Sequence, residues 1–389
     1  MSRYPLHELL DLSDSGVWGD EDTEGGVSIL RSTNFNADGR LDFSNLSFRA
    51  IEAKKRDSKL LQEGDILLEK SGGGPKQPVG RVCLYRGHEL QHSFGNFIAR
   101  LRPKKSLVLS EYLFYFLWHF HSIGKTSHYQ KQTTGIRNLE YKRFLSIEVP
   151  VPSLAVQSRV VDILSRAESI IRLRREAQQK AAELVPSIFL DMFGDPATNP
   201  KGLQTTRIEN LCTLVRGSSP RPQGDPQFFG GPVPRLMIAD ITRDGVYVTP
   251  RIDSLTELGA TKSRSMKAGD VVMAVSGAVG LPAILAVDAC IHDGFVGFRD
   301  LDPSVSPEFF YSYLSVMRQR SASQAVGATF QNLKTDQVKE WLVPIPSPGQ
   351  QKSFLDVVAR ARSINAQQEE STRRADDTLS AFLGRTFNM

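Results

Sequence analysis

The chain is short of the residues on which many catalytic and extracellular proteins depend. Its 389 residues hold three cysteines, Cys83, Cys212 and Cys290, far apart and with no CxxC pair. That excludes a disulfide scaffold and a cysteine zinc site, and it points to a reducing compartment. No run reaches the roughly 20 apolar residues of a membrane span; the nearest, Tyr112 to Phe120, is too short. The opening Met1-Ser2-Arg3-Tyr4-Pro5-Leu6-His7-Glu8 has no apolar signal core, so a cytoplasmic location is expected. Gly72-Gly73-Gly74 has neither the GxGxxG spacing of a dinucleotide loop nor a Walker lysine. A base-extruding amino-methyltransferase needs an Asn/Asp-Pro-Pro-aromatic loop, and Asn199-Pro200-Lys201 fails at the third position. Glu69-Lys70 after Asp65 has only a generic likeness to a metal-dependent nuclease. His119 and His121, two apart on an expected helix, point to different faces and should not share a metal. No catalytic group, cofactor or metal is therefore expected on this chain.

What is present is a duplication. Glu63-Gly64-Asp65-Ile66-Leu67 returns as Ala268-Gly269-Asp270-Val271-Val272, and Ser71-Gly72 as Ser276-Gly277, both 205 residues on. Asp38-Gly39 returns as Asp244-Gly245 after 206 residues. Asn138-Leu139 returns as Asn332-Leu333, and Pro150-Val151-Pro152 as Pro344-Ile345-Pro346, after 194. The period far exceeds the roughly 20–50 residues of solenoid repeats, so it marks a duplicated domain. Two similar but non-identical domains suit two similar but non-identical targets. The net charge of +5 and pI of about 9.0 are compatible with a nucleic-acid partner without requiring one.

Each half follows one plan. Short strand-like runs broken by Gly, Pro, Asn and Asp come first, such as Val27 to Leu30 and Val271 to Val275. A short aromatic helix follows, Ser110 to Tyr115 in the first half and Ser306 to Tyr311 in the second, with Ser and Glu at its start. A strand ending in prolines comes next, Phe144 to Pro152 and Trp341 to Pro346. The period then changes to that of a long helix. The first long helix spans about Leu154 to Met192, with a seam of Ile163, Ile170, Ala177 and Leu184 beside Val160, Ala167, Ala181 and Ile188. Apolar residues seven apart over four heptads predict a coiled coil on the order of 55 Å long. Pro186 should kink or end its regular part. The second spans about Gly349 to Phe387, with Val357, Ala361, Ile364, Ala375 and Phe382 in its seam. An apolar stripe of this length needs a partner, and the simplest one is the other long helix, antiparallel. The expected fold class is α+β: domains at 1–152 and 194–346, long helices at 153–193 and 347–389.

These segments together resemble a type I restriction–modification specificity subunit. The resemblance rests on Gly135-Ile136-Arg137-Asn138-Leu139 running into Ile147 to Pro152 and Gln157, and on Thr329-Phe330-Gln331-Asn332-Leu333 running into Leu342 to Pro346 and Gln350-Gln351. The Gly-Asp strands followed by Ser-Gly, and Gly217-Ser218-Ser219-Pro220, also fit the family pattern, and the likeness covers essentially the whole chain. One departure stands at the helix starts, where the acidic residue common before the Gln is replaced in Ala155-Val156-Gln157 and Pro348-Gly349-Gln350. The resemblance implies two target-recognition domains reading a split, asymmetric site in double-stranded DNA. It implies an antiparallel coiled coil holding them apart, and no catalysis on this chain. It implies two methyltransferase subunits as partners, carrying S-adenosylmethionine and methylating adenine, and it allows an endonuclease/translocase subunit to join. Readings from other classes are a stand-alone DNA-modifying enzyme and a two-headed DNA-binding regulator.

Base reading needs donors and acceptors on loops that can enter a groove. In the first half, Ser71, Gly72, Lys76, Gln77 and Arg81 sit in one glycine-rich loop and Lys131, Gln132 and Thr133 in another, with Arg31 added from the strand region. In the second half the candidates are Ser276 and Gly277, Gln324 in the loop matching the first half's second one, and Arg235, Lys262 and Arg264. For any single Lys or Arg a solvated surface charge is the plainer reading. Their recurrence in loops of both halves favours DNA.

Overall fold

A computed structural model of the protein describes residues 2–22, 24–74, 77–133, 136–182, 184–324 and 333–387. It divides into two compact units, Met1–Arg175 with Glu370–Met389, and Glu176–Glu369.

The first unit is built on a four-stranded antiparallel sheet in the order Leu10–Ser15, Ile98–Pro103, Ile66–Glu69, Val82–Leu84. The central strands are buried on both faces, which is why they read as continuous rather than alternating apolar runs. Against them lies the aromatic helix Ser110–Ser122, buried from Tyr112 through Leu117. A second sheet joins Asp20–Glu21, Ser47–Ala50, Val27–Leu30 and His92–Phe94, the last pair parallel. A three-stranded sheet joins Gln130–Thr133, Ile136–Leu139 and Ser71–Gly73. Ser2–Pro5 pairs with Glu148–Val151 and closes the domain where the long helix begins.

The second unit repeats the plan. Its main sheet orders Thr213–Arg216, Phe295–Arg299, Val271–Ala274, Pro282–Leu285 and Tyr247–Val248. Its second sheet orders Asp253–Leu255, Phe229–Leu236, Ala289–Ile291 and Arg264–Met266, and Thr205–Arg207 pairs with Leu342–Pro344. The duplication holds bond by bond. Gly64 and Gly269, at φ 93° and 89°, open the equivalent strands. Only glycine takes that left-handed turn without strain. Gly64 N–H donates to the Tyr85 carbonyl (2.9 Å), and Gly269 N–H to that of Leu285 (2.8 Å). The Asp65 carboxylate accepts from Gln62 N–H and the Asp270 carboxylate from Lys267 N–H, both at 2.8 Å. Leu139 N–H reaches the Lys70 carbonyl (2.7 Å), and Leu333 N–H reaches that of Val275 (3.3 Å).

The long helices are Leu154–Ala182, continued by Leu184–Phe193, and Pro348–Phe387. Pro186 lies in the first turn of Leu184–Phe193, where a missing N–H costs no intrahelical bond. Within the first unit the helices run antiparallel. Leu164 shares a core with Leu383 and Phe387, while ten residues further along Arg174 donates to the Ser371 carbonyl (2.9 Å) and Arg175 pairs with Asp376 (2.7 Å). Within the second unit, Phe189 and Phe193 of the shorter segment stack edge-on against Phe354 (5.7 and 5.4 Å between ring centres).

One row of the seam expected from the heptads is corrected by one position, while Val160, Ile188 and Phe382 of that seam pack against the domain cores. Leu164 and Ile171 are 0% and 4% exposed, whereas Ile163 and Ile170 are 43% and 50% exposed. Likewise Phe354 and Val358 are buried, while Val357 and Ile364 lie open. Neighbouring rows on a helix differ by about 100°. A repeat of seven cannot say which row a globular core will claim, and here the domain cores take the inner one.

Candidate nucleic-acid interface

In the first domain the glycine-rich loop leaves the main sheet at Lys70. The Ser71 hydroxyl bonds the Asn138 side chain, Gly72 is left-handed at φ 99°, and Gly74 and Gln77 exchange backbone hydrogen bonds (2.9 and 3.2 Å). Gln77 is exposed, and Lys76 lies outside the described residues. Arg81 turns inward. Its Nε and Nη2 grip both oxygens of the buried Glu69 (2.9 and 2.8 Å), and its terminal nitrogens donate to the carbonyls of Phe35 (3.1 Å) and Ser32 (3.0 Å). The Glu69 contact raises its pKa further above the ordinary arginine value. Arg81 therefore fastens the Ser32–Asn34 turn to the sheet, with four of its five N–H donors committed there. Lys131 stands exposed on Gln130–Thr133 and pairs with Glu140 (2.9 Å), whose carboxyl is held below the usual range by Lys131 and Arg143. Gln132 and Thr133 share that strand, but their side chains lie outside the described set.

In the second domain Ser276 and Gly277 follow the equivalent strand, with Gly277 at φ 73°. Arg235 is buried, held by the Asp253 carboxylate and by Ser219 Oγ (2.9 Å) over the Phe229 ring. Lys262 sits 4.2 Å from the centre of the Phe228 ring. Arg264 is exposed and donates to the Arg216 carbonyl (3.1 Å). Gln324 is not in a loop. It ends the helix Pro307–Gln324, and its side chain lies outside the described set. The reason is local: Gly124, at φ 78°, follows the first-half helix and stops it, whereas Arg318 to Gln324 contain neither Gly nor Pro.

The structure brings together residues that the sequence reading missed. Gly16 N–H donates to the Ile98 carbonyl (3.1 Å) and Val17 N–H to that of Phe94 (2.9 Å). Gly217 donates likewise to Phe295 (3.0 Å) and Ser218 to Ile291 (3.1 Å). A Cβ at Gly16 would collide with the Phe94 carbonyl, and one at Gly217 with that of His292, so both corners require glycine. Trp18 thus occupies the place of Ser219, and Asn96 and Phe97 those of Asp293 and Gly294. In the first domain this corner is a cleft of about 470 Å³ lined by Trp18, Arg31, Thr33, Asn96 and Phe97 among others. Trp18 and Phe97 are 45% and 52% exposed. Arg49 stacks on the Trp18 ring at 4.3 Å, and among the described residues the Arg31 side chain donates to neutral oxygens of Asn45 (3.3 and 3.4 Å). Lys70, whose backbone N–H holds the Phe97 carbonyl (2.8 Å), is pulled below the ordinary lysine pKa by burial. In the second domain the same corner is polar. Ser219 donates to Asp293 (2.7 Å), Arg221 lies 3.8 Å from that carboxylate, and the Ser219 bond holds the Asp293 carboxyl low.

A second surface lies on the first unit's long helices. Val156, Ile163 and Ile170, seven apart, form an exposed apolar row. It borders a groove of about 450 Å³ between Ile163, Ala167 and Ile170 on one helix and Ala375, Thr378 and Phe382 on the other.

A family model described as the type I restriction modification DNA specificity domain matches residues 20–183 and 200–371. The chain belongs to this family. It is a type I restriction–modification specificity subunit with two DNA-recognition domains, as the sequence resemblance implied. It is 20% identical to the putative type I restriction enzyme MjaX specificity subunit of Methanocaldococcus jannaschii, over 97% of this chain and 91% of that one. It is 27% identical to the StySPI specificity subunit of Salmonella potsdam over 49% of this chain and 39% of that one. In fold it is similar to a chain solved in work on complex assembly and conformational transition of the type I R-M system, with a TM-score of 0.67, 16% identity and coverage of 99% and 97%.

For a specificity subunit the missed corner had a faint sequence signal. Val17-Trp18-Gly19 and Gly95-Asn96-Phe97 place aromatics in glycine-flanked loops with no helical or strand period, so no core claims them. No group of His, Cys, Asp and Glu among the described residues could hold a metal ion. No helix among them is long and apolar enough to cross a membrane. The three cysteines are unpaired and buried, and burial pushes the Cys212 thiol up to about 12, which leaves it inert.

Proposed function

We propose that each domain, 1–152 and 194–346, reads one half of a split, asymmetric sequence in double-stranded DNA. The long helices 153–193 and 347–389 join the two readers as a spacer, so the unread gap is fixed in length and free in sequence. The observation that carries this reading is the duplicated corner. One backbone frame holds Trp18, Asn96 and Phe97 in one domain and Ser219, Asp293 and Gly294 in the other. A shared frame with different contact chemistry is what two unlike half-sites require. Of the sequence-derived candidates, Arg31, Ser71, Gly72, Lys76, Gln77 and Lys131 serve the first half-site, and Lys262, Arg264, Ser276 and Gly277 the second. Arg81 and Arg235 act indirectly, by holding the reading surface in place.

The chain itself performs no chemistry in this reading. The apolar row Val156, Ile163, Ile170 and the groove beside it recruit methyltransferase subunits, two per complex, which carry S-adenosylmethionine and methylate adenine. Contiguous exposed apolar surface on an otherwise charged helix marks such a docking face. An endonuclease/translocase subunit joins where the system also restricts.

The test is a genome-wide adenine-methylation map in cells with and without this chain, the methyltransferase partner being present in both. Loss of one asymmetric split motif on deletion is expected. An unchanged map with an active partner would remove the proposal in favour of a DNA-binding regulator without an enzyme.

A further inference from the structure

We propose that the Trp18–Phe97 cleft of the first domain receives the C5-methyl group of a thymine, and that this contact is a specificity determinant of that half-site. The inference rests on the DNA-recognition reading above and names the chemistry at one corner of it. Three observations lead there. The cleft is rimmed by two half-exposed aromatic rings that no core requires. Two cations border it, and among the described residues neither forms an ion pair: Arg31 meets the neutral oxygens of Asn45, and Arg49 lies on the Trp18 ring. Unpaired cations around an apolar slot fit a polyanion that offers an apolar edge. The glycine-rich loop adjoins the slot, since a Cβ at Gly72 would stand 3.9 Å from the Phe97 ring, so a groove edge can approach both together.

The base then follows from the edges of duplex DNA. In the major groove every base presents a donor, an acceptor or both, and only thymine adds an apolar group, its C5 methyl. The face made by the Trp18 and Phe97 rings offers no donor or acceptor, and burying a polar base edge unpaired against it is costly. It can bury a methyl. Arg31 and Arg49 then lie where phosphates flank the contacted base. The equivalent corner of the second domain has Ser219 and Gly294 in place of the two rings, with Asp293 and Arg221 beside them, a set suited to a hydrogen-bonding base edge. The two corners therefore differ in the class of base they accept.

The test uses the complete complex with its methyltransferase and the DNA site found by methylation mapping, with affinity measured at one fixed salt concentration. Deoxyuridine replaces each thymine of the site in turn, which deletes one methyl group and nothing else. One position is expected to weaken wild-type binding about fourfold, the value of one buried methyl-sized group. Phe97→Ala and Trp18→Ala should bind the thymine site more weakly and lose sensitivity at that same position. Phe97→Leu, which keeps an apolar wall, should retain part of it. Unchanged thermal unfolding of these surface variants separates contact loss from misfolding. Equal affinity for every deoxyuridine site, or full retention of the sensitivity in Phe97→Ala, would overturn the assignment. A wild-type complex with no sequence preference at all would overturn the recognition reading with it.

Discussion

Gln157 and Gln351, 194 residues apart, make the same three hydrogen bonds in their respective domains. The Gln157 side chain, wholly buried, accepts from Leu109 N–H (2.8 Å) and donates to the carbonyls of Leu107 and Pro152 (both 2.9 Å). Gln351 accepts from Ser306 N–H (3.2 Å) and donates to the carbonyls of Ser304 and Pro346 (2.6 and 3.1 Å). One amide thus ties the start of the aromatic helix to the last proline of the preceding strand and to the first turn of the long helix.

Gln157→Ala should destabilise the first domain by roughly 2–4 kcal/mol, because it strands a buried N–H and two buried carbonyls. Gln157→Glu should do no better, since a carboxylate cannot donate to Leu107 and Pro152. Chemical denaturation is the check, and a loss under about 0.5 kcal/mol would contradict the account.

Arg81 and Lys76 should part company on mutation, although they are neighbours in sequence. Arg81→Ala leaves the buried Glu69 carboxylate without its partner, and breaking such a pair costs about 3–5 kcal/mol. Its main effect should be on folding, and replacing Glu69 by Gln as well should recover part of the loss. Lys76→Ala with Gln77→Ala should leave the unfolding transition unchanged, weaken binding to the specific site, and lessen its salt dependence. Thermal unfolding and DNA affinity at two salt concentrations separate the two behaviours.

Stability should fall as pH drops from 6.5 toward 4. His92 is buried among Phe43, Tyr85 and His88 and bonded to Ser28 Oγ (2.8 Å). Burial, and then His88, lower its pKa to about 4. Burial, and then Arg81, lower His121 to about 4 as well. Between that value and the ordinary 6.5 the unfolded chain takes up protons that the folded chain refuses, so the contribution is whole above 6.5 and lost as pH falls. His92 alone is worth roughly 3 kcal/mol over that window. Urea denaturation at pH 7.5, 6 and 5 should show the slope, and His92→Gln should reduce it by about one proton. A flat profile would remove the histidine account.

Ile170→Lys should leave the fold and DNA-domain stability intact, because Ile170 is half exposed, yet abolish co-purification with the methyltransferase subunit. Ile171→Lys, one residue on, should instead unfold the helix packing, because Ile171 is buried. Equal recruitment by Ile170→Lys would place the docking face elsewhere.

The duplication, the family, the aromatic helices and the long helices were all legible in the residues, because glycine turns, proline stops and a period of seven are local signals. Gly64 and Gly269 need no tertiary context to announce a left-handed turn. What only the tertiary structure decided was direction. Whether Ile163 or Leu164 faces the core depends on what packs against the helix, and the heptad is indifferent to a one-residue rotation. Whether Arg81 meets DNA or Glu69 depends on a carboxylate twelve residues earlier on the neighbouring strand, and a cation in a glycine-rich loop looks the same in either case. Trp18, Arg31 and Phe97 lie far apart along the chain and become one cleft only when the Val27–Leu30 and His92–Phe94 strands pair in parallel. Local rules write the elements, and long-range pairing chooses which side chains share a surface.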